Sequence, residues 1–261
     1  PKSVDSASFA FSLCGPLPPG QIPQLALNWS VIFESTNEAP LKIEGVRPIV
    51  VDVVQECPQS SSEIKVDGDI AEWGKLPHEC RQPMDFNLAK NEWRNAKDCS
   101  FSIGTVYDQR YLYLAVSVVD DSSVYSPGKV PWEQDGVEIR LDARNDPERS
   151  YGVGQNEFVD FLVFAMGPTA DGSEHIIWAA DRLPPGYQTA CIRTAVGYSA
   201  EVAIPVQYLN AKQGKDWDSF RLNVAVDDFD GKGGNGCQIW WRPDWRKRGN
   251  FAGSGTFRRR Q

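Results

Sequence analysis

Apolar and polar residues alternate with a period of two along most of this 261-residue chain, and no segment sustains the 3.6-residue period of an amphipathic helix. A period of two sends successive side chains to opposite faces of an extended strand, so such runs build half-buried sheets. The runs are Ser100–Val106, Tyr111–Val119, Gly136–Asp142, Phe158–Met166, Ile176–Ala180, Thr189–Val196, Tyr198–Ile204, Phe220–Asp227 and Gln238–Arg242. Turn residues separate them, among them Asp171-Gly172, Pro184-Pro185-Gly186 and the stretch Gly231–Gly236. Many short strands with regular turn signals predict an all-β fold, an antiparallel β-sandwich of jelly-roll or Ig-like type, from Ile64 to the C-terminus. One helical turn is expected at Pro205–Asn210, with proline at an early position.

Residues 1–57 read differently. Three strand-like pieces, Ala7–Leu13, Ala26–Glu34 and Ile49–Gln55, surround the proline-rich turn Pro16–Pro23. This is a small β-rich segment, either an Ig-like module or an extension packed on the main domain. Residues 58–63, with Pro58-Gln59-Ser60-Ser61-Ser62, read as a linker to the sandwich at 64–261.

Charge and cysteine usage narrow the function. A formal net charge of -8 excludes a nucleic-acid partner of the usual kind, which needs lysines and arginines against phosphate. The basic run Arg258, Arg259 and Arg260 reads as a solvated tail. No apolar run is long enough for a membrane span, and no leader-like segment opens the sequence. The six cysteines have no two separated by only two residues, so they make no zinc or redox motif. An even count in a β chain leans towards an oxidising compartment. Cys80 with Cys99 is then the favoured pair because both flank one loop-rich stretch, and free buried thiols are the alternative. Asn28-Trp29-Ser30 matches a glycosylation sequon.

The stretch Pro131–Arg144, PWEQDGVEIRLDAR, carries the clearest functional pattern. Val137, Ile139 and Leu141 alternate with Glu138 and Arg140, so Glu138, Arg140 and Asp142 share one strand face. Trp132 sits just upstream on a loop that Pro131 holds extended. A flat ring beside a row of hydrogen-bonding groups suits a sugar: C–H faces stack on the ring and hydroxyls meet the carboxylates. The alternative for Trp132 is a place in the sandwich core.

From Ile64 onward the chain resembles the family 9 carbohydrate-binding modules. The landmarks are VDGDIAEW (Val66–Trp73), DQRYLYLAVSVVD (Asp108–Asp120), PWEQDGVEIRLD (Pro131–Asp142), GYSAEVAIP (Gly197–Pro205), LNVAVDD (Leu222–Asp228) and WWRPDW (Trp240–Trp245). The resemblance implies a non-catalytic module of a larger secreted or surface polypeptide, monomeric, outside the cell or in the periplasm, that binds a plant-type polysaccharide such as cellulose or xylan. It implies a terminal sugar gripped between two tryptophans, here Trp132 and Trp245, with Glu138 beside them and Asn235 at the rim. Trp240 or Trp241 is the alternative to Trp245. Three positions depart from the family pattern: Leu162 and Asn235 stand where it has arginines, and Ala225 where it has a glutamine. The family also implies structural calcium in some members. The run Asp227-Asp228-Phe229-Asp230-Gly231 offers hard oxygen ligands, so Asp227, Asp228 and Asp230 are the expected calcium ligands, with no cofactor otherwise required.

Three other readings compete. Catalysis could be assigned to Glu138 with Asp160 or Asp142, but the chain has no G-x-S-x-G elbow, and His78 and His175 stand in no metal-ligand spacing. Related sandwiches hold haem b, for which Met84 or Met166 with His175 would serve as axial ligands. A purely structural spacer module is the third.

Overall fold

The computed structural model describes residues 24–33, 39–50, 54–82, 93–125, 130, 133–144, 161–172, 175–230, 236–242 and 255–260, and of residues 24–27 and 46–50 the backbone alone. The chain divides into two compact units, Pro1–Val51 and Asp52–Gln261. In the first, β1 (Gln24–Phe33) and β2 (Leu41–Val50) form an antiparallel hairpin in register from Gln24↔Val50 to Phe33↔Leu41. Of the expected strand Ile49–Gln55, Ile49 and Val50 end β2, Gln55 opens a separate strand, Gln55–Cys57, and residues 51–53 lie outside the described residues. Leu41, Ile43 and Gly45 alternate with Lys42 and Glu44 in β2, and Pro48, which lacks an N–H, is tolerated because a two-stranded sheet has open edges.

The second unit is an all-β sandwich. Its smaller sheet has five strands in the order β10 (Gln188–Thr194), β11 (Gly197–Pro205), β6 (Tyr111–Asp120), β5 (Cys99–Tyr107), β4 (His78–Cys80), all antiparallel. The larger follows the path β3 (Gln55–Cys57), β14 (Thr256–Arg259), β12 (Ser219–Asp228), β7 (Gly136–Asp142), β8 (Leu162–Pro168), β9 (His175–Trp178), and β13 (Cys237–Trp240) pairs β12 beside β14. The period-two residues meet between the sheets as the alternation requires. Leu112, Leu114, Val116 and Val118 of β6 face Val137, Ile139 and Leu141 of β7 and their neighbours in one apolar core. The helix α1 (Val206–Gln213) begins after Pro205, runs three residues beyond the expected turn, and ends at Gly214 in the left-handed conformation.

The VDGDIAEW stretch lies over the outer face of the smaller sheet. Glu201 of β11 accepts hydrogen bonds from the backbone N–H groups of Asp67 (3.1 Å) and Gly68 (2.7 Å) and from the Trp73 indole (2.8 Å), while Ser199 Oγ donates to the Gly68 carbonyl (2.6 Å). A side chain at Gly68 would sit 2.8 Å from Ile192, and its φ of +88° is one that L-residues rarely adopt. Among the described residues no helix is long and apolar enough to cross a membrane.

Three expectations change. The basic C-terminus is a strand rather than a solvated tail: Phe257 is fully buried between Phe220 and Trp241, and the Arg259 guanidinium lies over the rings of Tyr107 (4.9 Å) and Trp217 (5.2 Å). One large apolar residue inserted in the core is enough to dock that short basic segment. The favoured Cys80–Cys99 disulfide does not form: Cys57, Cys80, Cys99 and Cys191 are free buried thiols. Phe101 takes the position directly across from Cys80 in the β4–β5 ladder, and the Cys80 thiol points to the carbonyl oxygens of Gln82 and Trp240, each at 3.6 Å. Finally, the division falls between Val51 and Asp52, ahead of the expected linker. Cys57 is already in the sandwich core, and the Pro58 carbonyl and Ser60 N–H bond to the backbone of Tyr107.

Candidate functional site

The strand β7 gives the larger sheet two chemically opposite faces. Val137, Ile139 and Leu141 enter the core, so Glu138, Arg140 and Asp142 lie on the outer face. Reading across the sheet through Glu138 gives one continuous rung: Trp240 of β13, Ala225 of β12, Glu138 of β7, Ala165 of β8 and Trp178 of β9. A carboxylate thus stands mid-sheet with an alanine on each side and a tryptophan beyond each alanine. Both alanines are buried.

Glu138 is held rather than free. Arg140 donates to its Oε2 (3.2 Å), and Gln238 donates through Nε2 to its Oε1 (3.0 Å). The same Gln238 amide donates to Asp227 Oδ1 (2.8 Å), while its Oε1 accepts the indole N–H of Trp240 (2.7 Å), which fixes the amide's orientation. The Arg140 guanidinium lies 4.0 Å from the Trp240 ring centroid, and both side chains are fully buried. Glu138 itself is 9% exposed, so its charge is balanced by fixed partners more than by water. Burial, and then the neighbouring Glu138 charge, raise the Asp227 carboxyl well above the usual carboxylate range, and its Oδ2 is buried without a hydrogen-bond partner.

Trp132, Asn235 and Trp245 lie outside the described residues, as do Asp160, Met84 and Cys14. The pair Trp240 and Trp241 divides as alternation demands, with Trp241 in the core and Trp240 on the Glu138 face, each buried. Gln238 and Trp240 were missed as partners of Glu138. The signal was available, because Ile239 and Trp241 mark the core parity of that run and leave Gln238 and Trp240 on the polar side.

The expected calcium ligands Asp227, Asp228 and Asp230 do not converge on one point. Asp227 and Asp228 are adjacent on β12 and face opposite ways: Asp227 meets Gln238, and Asp228 turns inward to the end of the sandwich. There, carboxylate oxygens of Asp120, Asp135 and Asp228 lie within 4.8 Å of one another, and all three residues are buried. Asp230 belongs to a second group with Asp98 and Asp121. That group contains its own cation, Arg94, which donates to Asp98 (2.6 Å), Asp121 (3.1 Å) and Asp230 (2.8 Å).

The inner group forms where the end of β6, the residue before β7 and the end of β12 meet. Asp120 Oδ1 accepts the Ser122 N–H (2.8 Å) and its Oδ2 the Ser123 hydroxyl (3.0 Å); Asp135 accepts the backbone N–H groups of Val124 and, at 2.8 Å, of Phe229. Burial, then the Asp120 charge, push Asp135 and Asp228 each up to about 8. Asp228 Oδ1 is buried and has no hydrogen-bond partner. An all-oxygen donor set with an orphaned carboxylate oxygen fits the hard divalent cation that the family resemblance implies.

The competing readings find less support here. Asp142 is ion-paired with Arg144 (3.0 Å) and lies four residues along the strand from Glu138, about 13 Å away at the strand rise. Met166 is fully buried in the apolar core, and a ring nitrogen of His175 meets Thr189 Oγ1 at 3.0 Å.

Comparison with known proteins matches this architecture. Endo-1,4-beta-xylanase A of Thermotoga maritima is 26% identical over 160 residues, which is 60% of this chain and 14% of the xylanase, so the likeness spans a small part of that enzyme. Two structures of a family 9 carbohydrate-binding module from Caldicellulosiruptor kristjanssonii share the fold. The one in complex with cellotriose superposes with a TM-score of 0.53 at 16% identity, covering 79% of this chain and 94% of that one. The one in complex with glucose has a TM-score of 0.54 at 17% identity, covering 79% and 96%. The profile of the family described as carbohydrate family 9 binding domain-like matches residues 66–252, which takes in the rung through Glu138 and both acidic groups. The chain belongs to that family.

Proposed function

We propose that this chain is a non-catalytic carbohydrate-binding module that holds a plant-type polysaccharide, or oligosaccharides cut from it, on the outer face of its larger sheet. Trp132 and Trp245 flank a pyranose ring, Glu138 accepts hydroxyl hydrogen bonds at its edge, and Asn235 contributes at the rim. The observation that carries this reading is the position of Glu138, mid-rung on a non-core face and oriented by Arg140 and Gln238. A carboxylate whose direction is already fixed loses little freedom when a hydroxyl docks. A charge-assisted hydrogen bond from that hydroxyl contributes about 1.5–3 kcal/mol. Such a module acts as an accessory in a larger secreted or surface polypeptide, outside the cell or in the periplasm, as its likeness to part of a xylanase suggests.

The test is retention on insoluble cellulose and xylan, followed by competition with soluble oligosaccharides. Trp132→Ala should abolish retention with the thermal melt unchanged. Glu138→Gln should weaken it about tenfold, the equivalent of about 1.4 kcal/mol. Retention by Trp132→Ala equal to that of the unaltered chain would refute the site. Failure of the unaltered chain to bind any glycan would refute the function and leave a spacer.

A further inference from the structure

The hairpin of the first unit is apolar on one face and polar on the other. In its register Trp29 stands opposite Gly45, Val31 opposite Ile43 and Phe33 opposite Leu41, so these residues share a face. Asn28, Ser30, Lys42 and Glu44 lie on the other, where Lys42 and Glu44 pair at 2.5 Å with both side chains more than half exposed. The apolar face is as open as the polar one. Trp29 (42%), Val31 (44%), Phe33 (53%), Leu41 (59%) and Ile43 (44%) are all exposed, and among the described residues only Ile32, Val54 and Val196 are other large hydrophobics so placed. The Trp29 ring lies across Gly45, where an added Cβ would sit 2.5 Å from it, so the ring fills the hollow that the glycine leaves.

A two-stranded hairpin on its own is marginal in water, and an apolar sheet face is stable only against a second layer. The chemistry of this face selects the layer. It offers no charge, and its one polar side-chain group is the Trp29 indole N–H, so it matches a surface as apolar as itself. Charge points the same way. The chain carries a net charge of -8, which opposes the meeting of two copies through most of their surfaces. The two strands of the hairpin hold two cations, Lys42 and Arg47, against one anion, Glu44, and β1 has neither a charge nor a proline. Two copies can therefore approach here without repulsion.

We infer that this face is an interface between two copies of the chain, hairpin packed on hairpin about a twofold axis. With the axis running across the strands at Val31 and Ile43, each of these residues meets its own copy. The Trp29 ring of one hairpin then meets Phe33 and Leu41 of the other. Four strands in two layers enclose a small apolar core, with Asn28, Ser30, Lys42 and Glu44 outside. Five side chains that are about half exposed contribute roughly 80–100 Å² each, on the order of 400–500 Å² per copy. The total of about 800–1,000 Å² stands at the lower edge of a specific interface, so the dimer is of micromolar strength. The hairpin lies outside the residues 66–252 that match the family, and the dimer stands without the glycan reading.

The experiment is sedimentation equilibrium of the full chain from about 1 to 200 μM, a range that brackets an interface of this area. The unaltered chain should double its mass across that range. Val31→Glu and Val31→Lys each set like charges face to face at the axis, and each should weaken dimerisation about a hundredfold. The sandwich, a separate compact unit, should melt unchanged in both. Mixed in equal amounts, the two variants should regain a dimer with one copy of each, because opposite charges then meet at the axis. That recovery requires both hairpins to be folded, so it separates a lost interface from a lost hairpin. An unaltered chain that stays monomeric at the top of the range would overturn the inference, whether the face is then open or covered by residues of its own chain. Val31→Glu dimers as tight as those of the unaltered chain would overturn it too, by placing the interface elsewhere. So would a mixture no more dimeric than its two components.

Discussion

Replacing Arg140 with methionine tests whether the outer face of the larger sheet is a built polar site or a layer of incidental charges. Arg140 is fully buried, 3.2 Å from Glu138 and 4.0 Å from the Trp240 ring centroid. Methionine keeps much of the packing volume but leaves Glu138 as a buried charge without its cation. Breaking a buried pair from one side costs about 3–5 kcal/mol, of which the lost desolvated cation–π contact makes up about 2 kcal/mol. For a unit of this size each kcal/mol moves the melting temperature by about 2–4 °C, so Arg140→Met should melt about 6–20 °C lower. Urea unfolding followed by tryptophan fluorescence gives the free energy directly. Adding Glu138→Gln removes the stranded charge, so the double variant should regain at least half of the loss, a strong non-additivity. If Arg140→Met stays within about 1 kcal/mol of the unaltered chain, or if the two losses simply add, the network does not hold Glu138 and the rigid-acceptor argument fails.

Two further outcomes follow from burial. The His78 ring packs against Trp241 (5.6 Å) and Phe257 (5.3 Å), and desolvation, then Arg242, lower its pKa from 6.5 to about 4. The unfolded chain therefore takes up a proton that the folded chain resists, and the stability tied to neutral His78 is full above pH 6.5 and lost as pH falls towards 4. Urea curves for the unaltered chain and His78→Phe at about pH 7.5 and about pH 4.5 cancel the carboxylates common to both; a difference that does not shift towards phenylalanine in acid would contradict the burial of His78. Burial also pushes the Cys57 and Cys80 thiols up to about 12 and raises Cys99 and Cys191, so none of these four should react with a thiol reagent in the native chain at neutral pH, and all should react in urea. A two-dalton mass loss at any of these thiols in the folded protein would refute their free state.

The sandwich was legible wherever four or more residues alternated, because period two is imposed by strand geometry and survives tertiary context. Gly136–Asp142 was read to the residue, and its parity alone put Glu138 and Arg140 on the non-core face. The strands His78–Cys80 and Thr256–Arg259 were not readable, since three or four residues carry too little pattern and their places come from partners far away in sequence. Phe257 is the sole large apolar residue of its strand, and only Phe220 and Trp241 explain why that strand docks. The cysteines failed for a related reason. Proximity in sequence suggested a pair, but Cys99 shares core parity with Phe101, and burial as a single thiol satisfies it.

The acidic groups show where sequence spacing misleads most. Asp227, Asp228 and Asp230 look like one ligand set because they are neighbours, yet adjacent strand residues point to opposite faces, so one strand divides them between two environments. Asp227 joins the amide network around Glu138 on the outer face, while Asp228 meets Asp120 at the end of β6 and Asp135 just before β7. The same parity that makes a sheet half apolar therefore puts consecutive residues of β12 into two separate environments. The two carboxylates extend away from each other, so one strand separates two acidic residues that the sequence places side by side.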